Sequence, residues 1–290
     1  MIEAYFIYLA ILVGIYLILA LSLQLAMGFT GLINLGHIAF FAVGAYTSAL
    51  LTMNGISFIF AIFLSGFFAM FFGFLLSIPT NKLKGDYLAL ATLAFNFVVY
   101  SVTLNWVSLT RGPLGLPRIP KPLILGFNIS SDFQFLILVF IMVLITSFIL
   151  IKLVKSPFGK VLEATRDNEL AARVLGKNTF KIKSIALAVS AFFAGIAGCL
   201  FAHFITYINP SSFTIMQLVP ILCIVIIGGL ASFRGTIIAA IILILLPEPL
   251  RFIGFPSTII GPMRQIIYAV VLLLILLYKP KGFFGKVELE

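Results

Sequence analysis

AYFIYLAILVGIYLILALSLQLAM, residues 4–27, decides the architecture: no charged side chain interrupts twenty-four consecutive positions. About 20 such residues of helix cross a roughly 30 Å hydrocarbon core. Glu3 precedes the run with no Lys or Arg ahead of it, and the run is longer than a signal-peptide core, so it reads as a retained span. Similar apolar stretches follow at 32–52, 56–78, 86–106, 132–151, 184–206, 217–233, 235–250 and 263–278. The expectation is an all-α, polytopic transmembrane bundle of about nine spans, within eight to ten. Long unbroken runs, rather than alternating segments of about ten residues, favour this bundle over an outer-membrane barrel.

Composition agrees. Hydrophobic residues make up 62% of the 290 positions and charged residues 10%, with a mean hydropathy of +1.22; soluble domains carry about 25% charge. The net charge of +10 gathers in loops and so points to membrane topology, not nucleic acid. Residues 152–183 hold eight basic against three acidic side chains, and the tail adds Lys279, Lys281 and Lys286. The positive-inside rule makes loop 152–183 and the C-terminus cytoplasmic, which puts Lys82 and Lys84 inside and the N-terminus outside. Loop 107–131 is then external despite Arg111, Arg118 and Lys121. Residues 1–290 read as one transmembrane domain.

Directly after the first run comes GFTGLINLGHIAFFAVGAY, residues 28–46, where glycines break the helix. In lipid an unmet backbone N–H or C=O costs several kcal/mol, so this segment faces protein or a water-filled cavity. If helix resumes near Asn34, the helical period puts Asn34, His37, Phe41, Gly44 and Ser48 on one face. Thr92, Asn96 and Thr103 form a second stripe on the fourth span. Two readings stand: a route for a polar solute, or interhelical hydrogen bonds with close glycine packing. Ala194, Gly198 and Ala202 read as packing. Glu248 lies between Pro247 and Pro249, where the helix kinks or ends, and Arg251 offers an interfacial ion pair.

The loop SPFGKVLEATRDNELAARVLGKN, residues 156–178, reads as two short helices. Pro157 occupies a first helical position, and Asp167 caps the second helix, which ends before Gly176. Glu169 and Arg173 are spaced i, i+4, with Leu170 and Val174 beside them. Such an amphipathic piece suits a partner's groove; the alternative is a solvated loop. No GxxxxGK[ST] occurs, so the chain has no P-loop of its own. HExxH, GxSxG and paired carboxylates within a span are also absent from the sequence, no metal site is read, and Cys199 and Cys223 lack metal or redox spacing.

With these pieces in order, the chain resembles the LivM-type permease subunit of branched-chain amino acid ABC importers over nearly its full length. The matching blocks are GFTGLINLGHIAFFAVGAY, LKGDYLALATLAF (83–95), TRGPLGLPRIP (110–120), the 156–178 loop, INPSSFT (208–214), IIGGLASFRGTIIAA (226–240) and YKPKGFFG (278–285). The resemblance implies a type II-like importer permease in a bacterial or archaeal plasma membrane. It implies pairing with a sister H-type permease, two ATPase subunits that bind ATP and Mg, and an extracytoplasmic binding protein, with no catalytic residue or cofactor in this chain. It also implies that Pro157, Gly159, Glu163, Arg166, Glu169, Leu170, Ala171, Ala172, Arg173 and Gly176 form the element that engages the ATPases. Glu169, Ala171, Ala172 and Gly176 look like an EAA-type signature, although Leu170 separates Glu169 from the alanine pair. The pore implied has no tight internal site, so selectivity rests mainly with the binding protein, and the solute is leucine, isoleucine, valine or a relative. The rival readings are an ion-coupled secondary transporter of small polar solutes and a membrane enzyme.

Overall fold

The structure, a computed structural model, describes residues 2–83, 85–124, 126–251, 257–279 and 281–285. Its first run forms helix α1 (Ile2–Gln24), which widens into a π turn at Leu25–Phe29 and then leaves the helix over residues 30–36. Three helices follow: α2 (His37–Met53), α3 (Phe58–Thr80) and α4 (Asp86–Asn105). A short helix α5 (Val107–Thr110) leads into the two-residue strands β1 (Leu116–Pro117), β2 (Leu123–Ile124) and β3 (Phe127–Asn128). Helix α6 (Asp132–Lys155) then descends to α7 (Pro157–Asp167) and α8 (Glu169–Val174), and α9 (Thr179–Ile205) returns to strand β4 (Tyr207–Ile208). Helices α10 (Leu218–Gly228), α11 (Phe233–Leu245) and α12 (Ser257–Tyr278) complete the chain.

Seven helices among the described residues are long and apolar enough to cross a membrane. Two further apolar helices fall short of that length: α2 with 17 residues and α10 with 11. The expected count of nine is therefore reached only if both short helices are included. Each has lost turns to an irregular segment before it, 30–36 and 206–217, where Gly, Asn and Pro supply other backbone conformations.

Helix α9 is the axis, with α1, α2 and α3 packed around it. Small residues explain its centrality: a Cβ at Gly44 of α2 would collide with the Gly195 carbonyl, and one at Gly198 with the Phe41 carbonyl. The two backbones therefore touch, as small-residue seams in lipid allow. By contrast α6 and α12 expose most of their length, and α3 turns Phe60, Phe63, Phe67, Phe71 and Phe74 outward. An apolar exterior of this kind is stable only against lipid or another protein.

The bundle has two chemically distinct ends. The α7–α8 elbow, the 28–36 break, the α10–α11 turn and residues 281–285 gather at one of them. Loop 106–131 lies at the other, where β1 pairs antiparallel with β4 (Leu116 opposite Ile208) and β2 with β3. The basic elbow and the tail segment thus share an end, while Arg111, Arg118 and Lys121 sit at the far one. Lys121 there meets Asp132 at 3.9 Å and the Ser130 carbonyl at 2.6 Å. Lys84 and Lys286 lie outside the described residues.

Candidate functional site

The break is held by side chains that take over the helix's hydrogen bonds. Thr30 Oγ1 donates to the Ala26 carbonyl, and the Gly31 and Leu32 amides return to the Met27 and Ala26 carbonyls at 3.1 Å each. Asn34 Oδ1 accepts from the Gly36 amide at 3.0 Å, and Thr92 Oγ1 from the Leu35 amide at 3.0 Å. Asn34 is therefore not on the α2 face, as expected from sequence, because helix resumes only at His37; its carboxamide serves the turn that precedes it. His37 Nε2 lies 2.8 Å from Ser22 Oγ and 3.2 Å from the Leu19 carbonyl.

The other stripe residues fill seams within the chain. Phe41 packs at a tilt against Phe201 and edge-on against Phe213, Gly44 abuts Gly195, and Ser48 donates to the Ala45 carbonyl at 3.0 Å. On α4, Thr92 faces the break while Asn96 and Thr103 are buried. All these side chains are less than a tenth exposed, so within one chain they border packing and not an open gap. His203 likewise meets the Cys199 carbonyl at 2.8 Å and Thr52 Oγ1 at 3.2 Å.

The elbow begins where Ser156 ends α6 and Pro157 opens α7 with the preset backbone angle of a first helical residue. Gly159 is required here, since a Cβ would strike the Val154 carbonyl. Asn168, not Asp167, caps α8: its Oδ1 accepts from the Ala171 amide at 3.0 Å, whereas Asp167 is the last residue of α7 and pairs with Arg166 at 2.8 Å. The longer reach of the α7 helix displaced the cap by one residue.

Two buried attachments fix this elbow. Arg166 Nη1 donates to the Gly28 carbonyl at 2.9 Å, and its methylenes lie against Gly31, whose φ of +70° and lack of Cβ let them approach. Glu169 points inward and ties α8 to α9 through Lys183 (2.8 Å) and Thr179 (3.1 Å), while Arg173 of α8 donates to Glu169 (2.7 Å) and to Thr179 (2.9 Å). Burial alone raises its pKa; the hydrogen bond and charge of Lys183, with Thr179 and Arg173, outweigh this and hold the carboxyl below its ordinary range. Ala172 is buried, Glu163 half-buried, and Pro157, Ala171 and Gly176 exposed. What the elbow presents outward is apolar: Leu170, Val174 and Leu175 are 67%, 87% and 76% exposed, with Arg173 beside them.

Sequence reasoning missed the joint behind the break. Gln24 Nε2 donates to the Gly229 carbonyl at 2.8 Å, a Cβ on Gly28 would come within 2.6 Å of the Ala231 amide, and the Phe283 and Phe284 amides bind the Ile227 and Gly228 carbonyls at 2.8 and 3.2 Å. Three distant blocks of sequence thus meet in one layer; the glycines in each were the only signal. The Glu248 expectation also changes. The Arg251 side chain lies outside what is described, and Glu248 pairs with Arg264 of α12 at 2.9 Å and accepts from Tyr5. Here α11 stops at Leu245 and the following 3-10 turn brings Glu248 to α12.

A helical bundle with a broken inner helix, a rigid basic elbow and a lipid-compatible exterior defines the class as a polytopic membrane permease. Residues 5–276 match the family described as branched-chain amino acid transport system / permease component, and the chain belongs to it. Its similarity to the high-affinity branched-chain amino acid transport system permease protein LivM of Escherichia coli (strain K12) is 36% identity over 298 residues, 94% of this chain and 68% of that protein. The probable LivM of Methanocaldococcus jannaschii is 26% identical, covering 93% and 90%, and LivH of Escherichia coli (strain K12) 24%, covering 95% and 92%. No solved structure was found to match. As a permease component the chain is a non-catalytic transport subunit.

Proposed function

We propose that the chain is half of the membrane pore of an ATP-driven importer for branched-chain or closely related amino acids, partnered by a sister permease of the H type. Two separate ATPase subunits bind the cytoplasmic side of the permease pair, one of them on this chain's elbow, and an extracytoplasmic protein delivers the solute. ATP and Mg bind to those partners and supply the work; this chain converts it into motion. The observation that carries the reading is the elbow itself. An exposed apolar ridge (Leu170, Val174, Leu175) is mounted on α9 through Glu169 and on the helix break through Arg166, so a force applied at the ridge reaches the bundle through short, charge-assisted bonds. Relatives named as branched-chain amino acid permeases support the solute class. The shared end of the elbow and the basic tail supports a cytoplasmic placement of both, with the N-terminus outside.

The test is co-expression with the sister permease, the ATPases and the binding protein. Leu170→Asp with Val174→Asp is expected to leave the chain in the membrane and to abolish co-purification of the ATPases and ATP-driven leucine uptake. Retention of both overturns the docking role. Uptake by the purified single chain under a proton or sodium gradient, without ATP, overturns the importer reading in favour of a secondary carrier.

A further inference from the structure

A second feature lies at the opposite end from the elbow. Between α1, α10, α11 and α12 there is a cavity of about 260 Å³, just under the roughly 300–1,000 Å³ of pockets for drug-sized ligands. It lies beside the outer end of α10, whose 11 residues span about 16 Å, half the hydrocarbon thickness, and which a 3-10 turn at Ile215–Gln217 precedes. Tyr16 lies about 20 Å from either end of the combined α1 and π-turn run by the helical rise, so the cavity reaches from the far end to mid-depth.

Its lining joins two chemistries. Leu9, Leu12, Pro220 and Ile244 make an apolar wall. Facing them are the Glu248–Arg264 pair at 2.9 Å, the Tyr16 hydroxyl, which donates to Gln217 Oε1 at 3.3 Å, and Tyr268. Arg264 lines the cavity, and its Nε–H is enclosed with no hydrogen-bond partner among the described residues. Ionisable residues within membrane segments are rare and expensive unless they serve a function. A latch between α11 and α12 needs neither a cavity beside it nor converging tyrosines and glutamine.

We propose that this cavity is a transient binding site for the zwitterionic head of an amino acid within the permease. The solute's carboxylate takes Arg264, its ammonium takes Glu248 with the neighbouring hydroxyls, and its aliphatic side chain lies on the Leu9–Leu12–Ile244 wall. The pair carries no net charge when empty and none when filled, because a zwitterion exchanges partners with it ion for ion. A solute with net charge leaves one charge unmatched in a low-dielectric site, which is strongly disfavoured. The site therefore selects neutral amino acids. This proposal rests on the importer reading and departs from the sequence-based expectation of a pore without internal selectivity.

The test uses the complete transporter in proteoliposomes, with leucine, leucinamide and 4-methylpentanoate as probes. Glu248→Gln and Arg264→Gln are each expected to weaken apparent affinity for leucine uptake by about tenfold or more, the scale of one lost charge-assisted hydrogen bond. The wild type should discriminate against both one-charge analogues when they are presented inside the binding protein. The swapped double variant, Glu248→Arg with Arg264→Glu, separates the site from a latch. A latch is restored by the swap, whereas a site is not, because the reversed head group turns the side chain off its apolar wall. Wild-type uptake in the swapped variant, or in both single variants, overturns the site while leaving the importer reading intact. Absence of ATP-driven leucine uptake by the wild-type assembly instead overturns that reading, and this proposal with it.

Discussion

Replacing Glu169 by Ala is the sharpest probe of the elbow. The carboxylate bridges Lys183, Thr179 and Arg173, and the side chains of Glu169 and Lys183 are only 15% and 13% exposed. Removing one partner of an enclosed pair costs about 3–5 kcal/mol when burial is complete, and the hydrogen bond to a charged group about 1.5–3. With the remaining exposure, about 2–3 kcal/mol is expected for detachment of α8 from α9. The Arg173–Glu169 arm is half exposed and contributes only about 0.5 kcal/mol, while the hydrogen bond from Arg173 Nε to Thr179 of α9 at 2.9 Å adds about 0.5–1.5 kcal/mol. Local opening governs amide exchange, so protection across 169–178 should fall roughly 30- to 150-fold in Glu169→Ala, similarly in Lys183→Met, and by a smaller factor of roughly 5- to 30-fold in Arg173→Ala. Hydrogen exchange with mass spectrometry on the detergent-solubilised protein reads all three. Changes below threefold in both Glu169→Ala and Lys183→Met would refute the strut. The same bond predicts a pH response. Because the folded pKa is depressed, the attachment is fully present above the unfolded value of about 4.3 and is lost as pH falls through the folded value. Exchange in α8 should therefore show no Glu169-dependent change between pH 5 and pH 8, taken as a round working range.

Other substitutions test the seams. Gly198→Ala drives a methyl into the Phe41 carbonyl and should cost about 1–3 kcal/mol or more, read as a lowered Tm; an unchanged Tm would show that α2 and α9 are not in backbone contact. Gly176→Ala meets open space at φ +76°, so its penalty should stay near about 1 kcal/mol and confined to the elbow by hydrogen exchange. Thr92→Val strands the Leu35 amide, and Asn34→Ala the Gly36 amide, each for about 1–3 kcal/mol. The double variant should cost less than their sum, since both hold one turn, and strict additivity in thermal unfolding would argue against a shared element.

Much of this was readable in the residues, and the failures share a cause. The spans were legible because lipid demands length and apolarity, properties that each segment displays alone. The helix start at Pro157 and the inward-facing break at 28–36 were legible for the same local reason. Asn168 displaced Asp167 as the α8 cap because two adjacent residues can each serve, and only the end of α7 chooses between them. Asn34 was assigned to a helical face by period, although its Asx turn delays the helix to His37. The Glu248–Arg264 pair spans 16 residues and the Gln24–Gly229 bond 205. No periodicity encodes such partners; they follow from which helices the glycine seams bring together.

The elbow and the cavity lie at opposite ends of the bundle, yet a short series of contacts connects them. Arg166 holds the Gly28 carbonyl, Gln24 one turn away holds the Gly229 carbonyl, and Gly229 caps α10. From there α10 runs about 16 Å to Gln217, which meets Tyr16 at the floor of the cavity. The first two links are side-chain bonds to single carbonyls where helix is broken, and the last joins Gln217 at the start of α10 to Tyr16 within α1. Under the proposed coupling, a rigid α10 pivoting at Gly229, whose φ is +96° and which abuts Gly285, would turn a small displacement at Gly28 into a displacement of Gln217 against Tyr16. An unbroken α10 of full span length would remove both the hinge and the cavity. The shortness of this helix, which kept it below the length of a crossing span, is therefore the feature that gives the proposed motor coupling and the proposed solute site a common mechanical element.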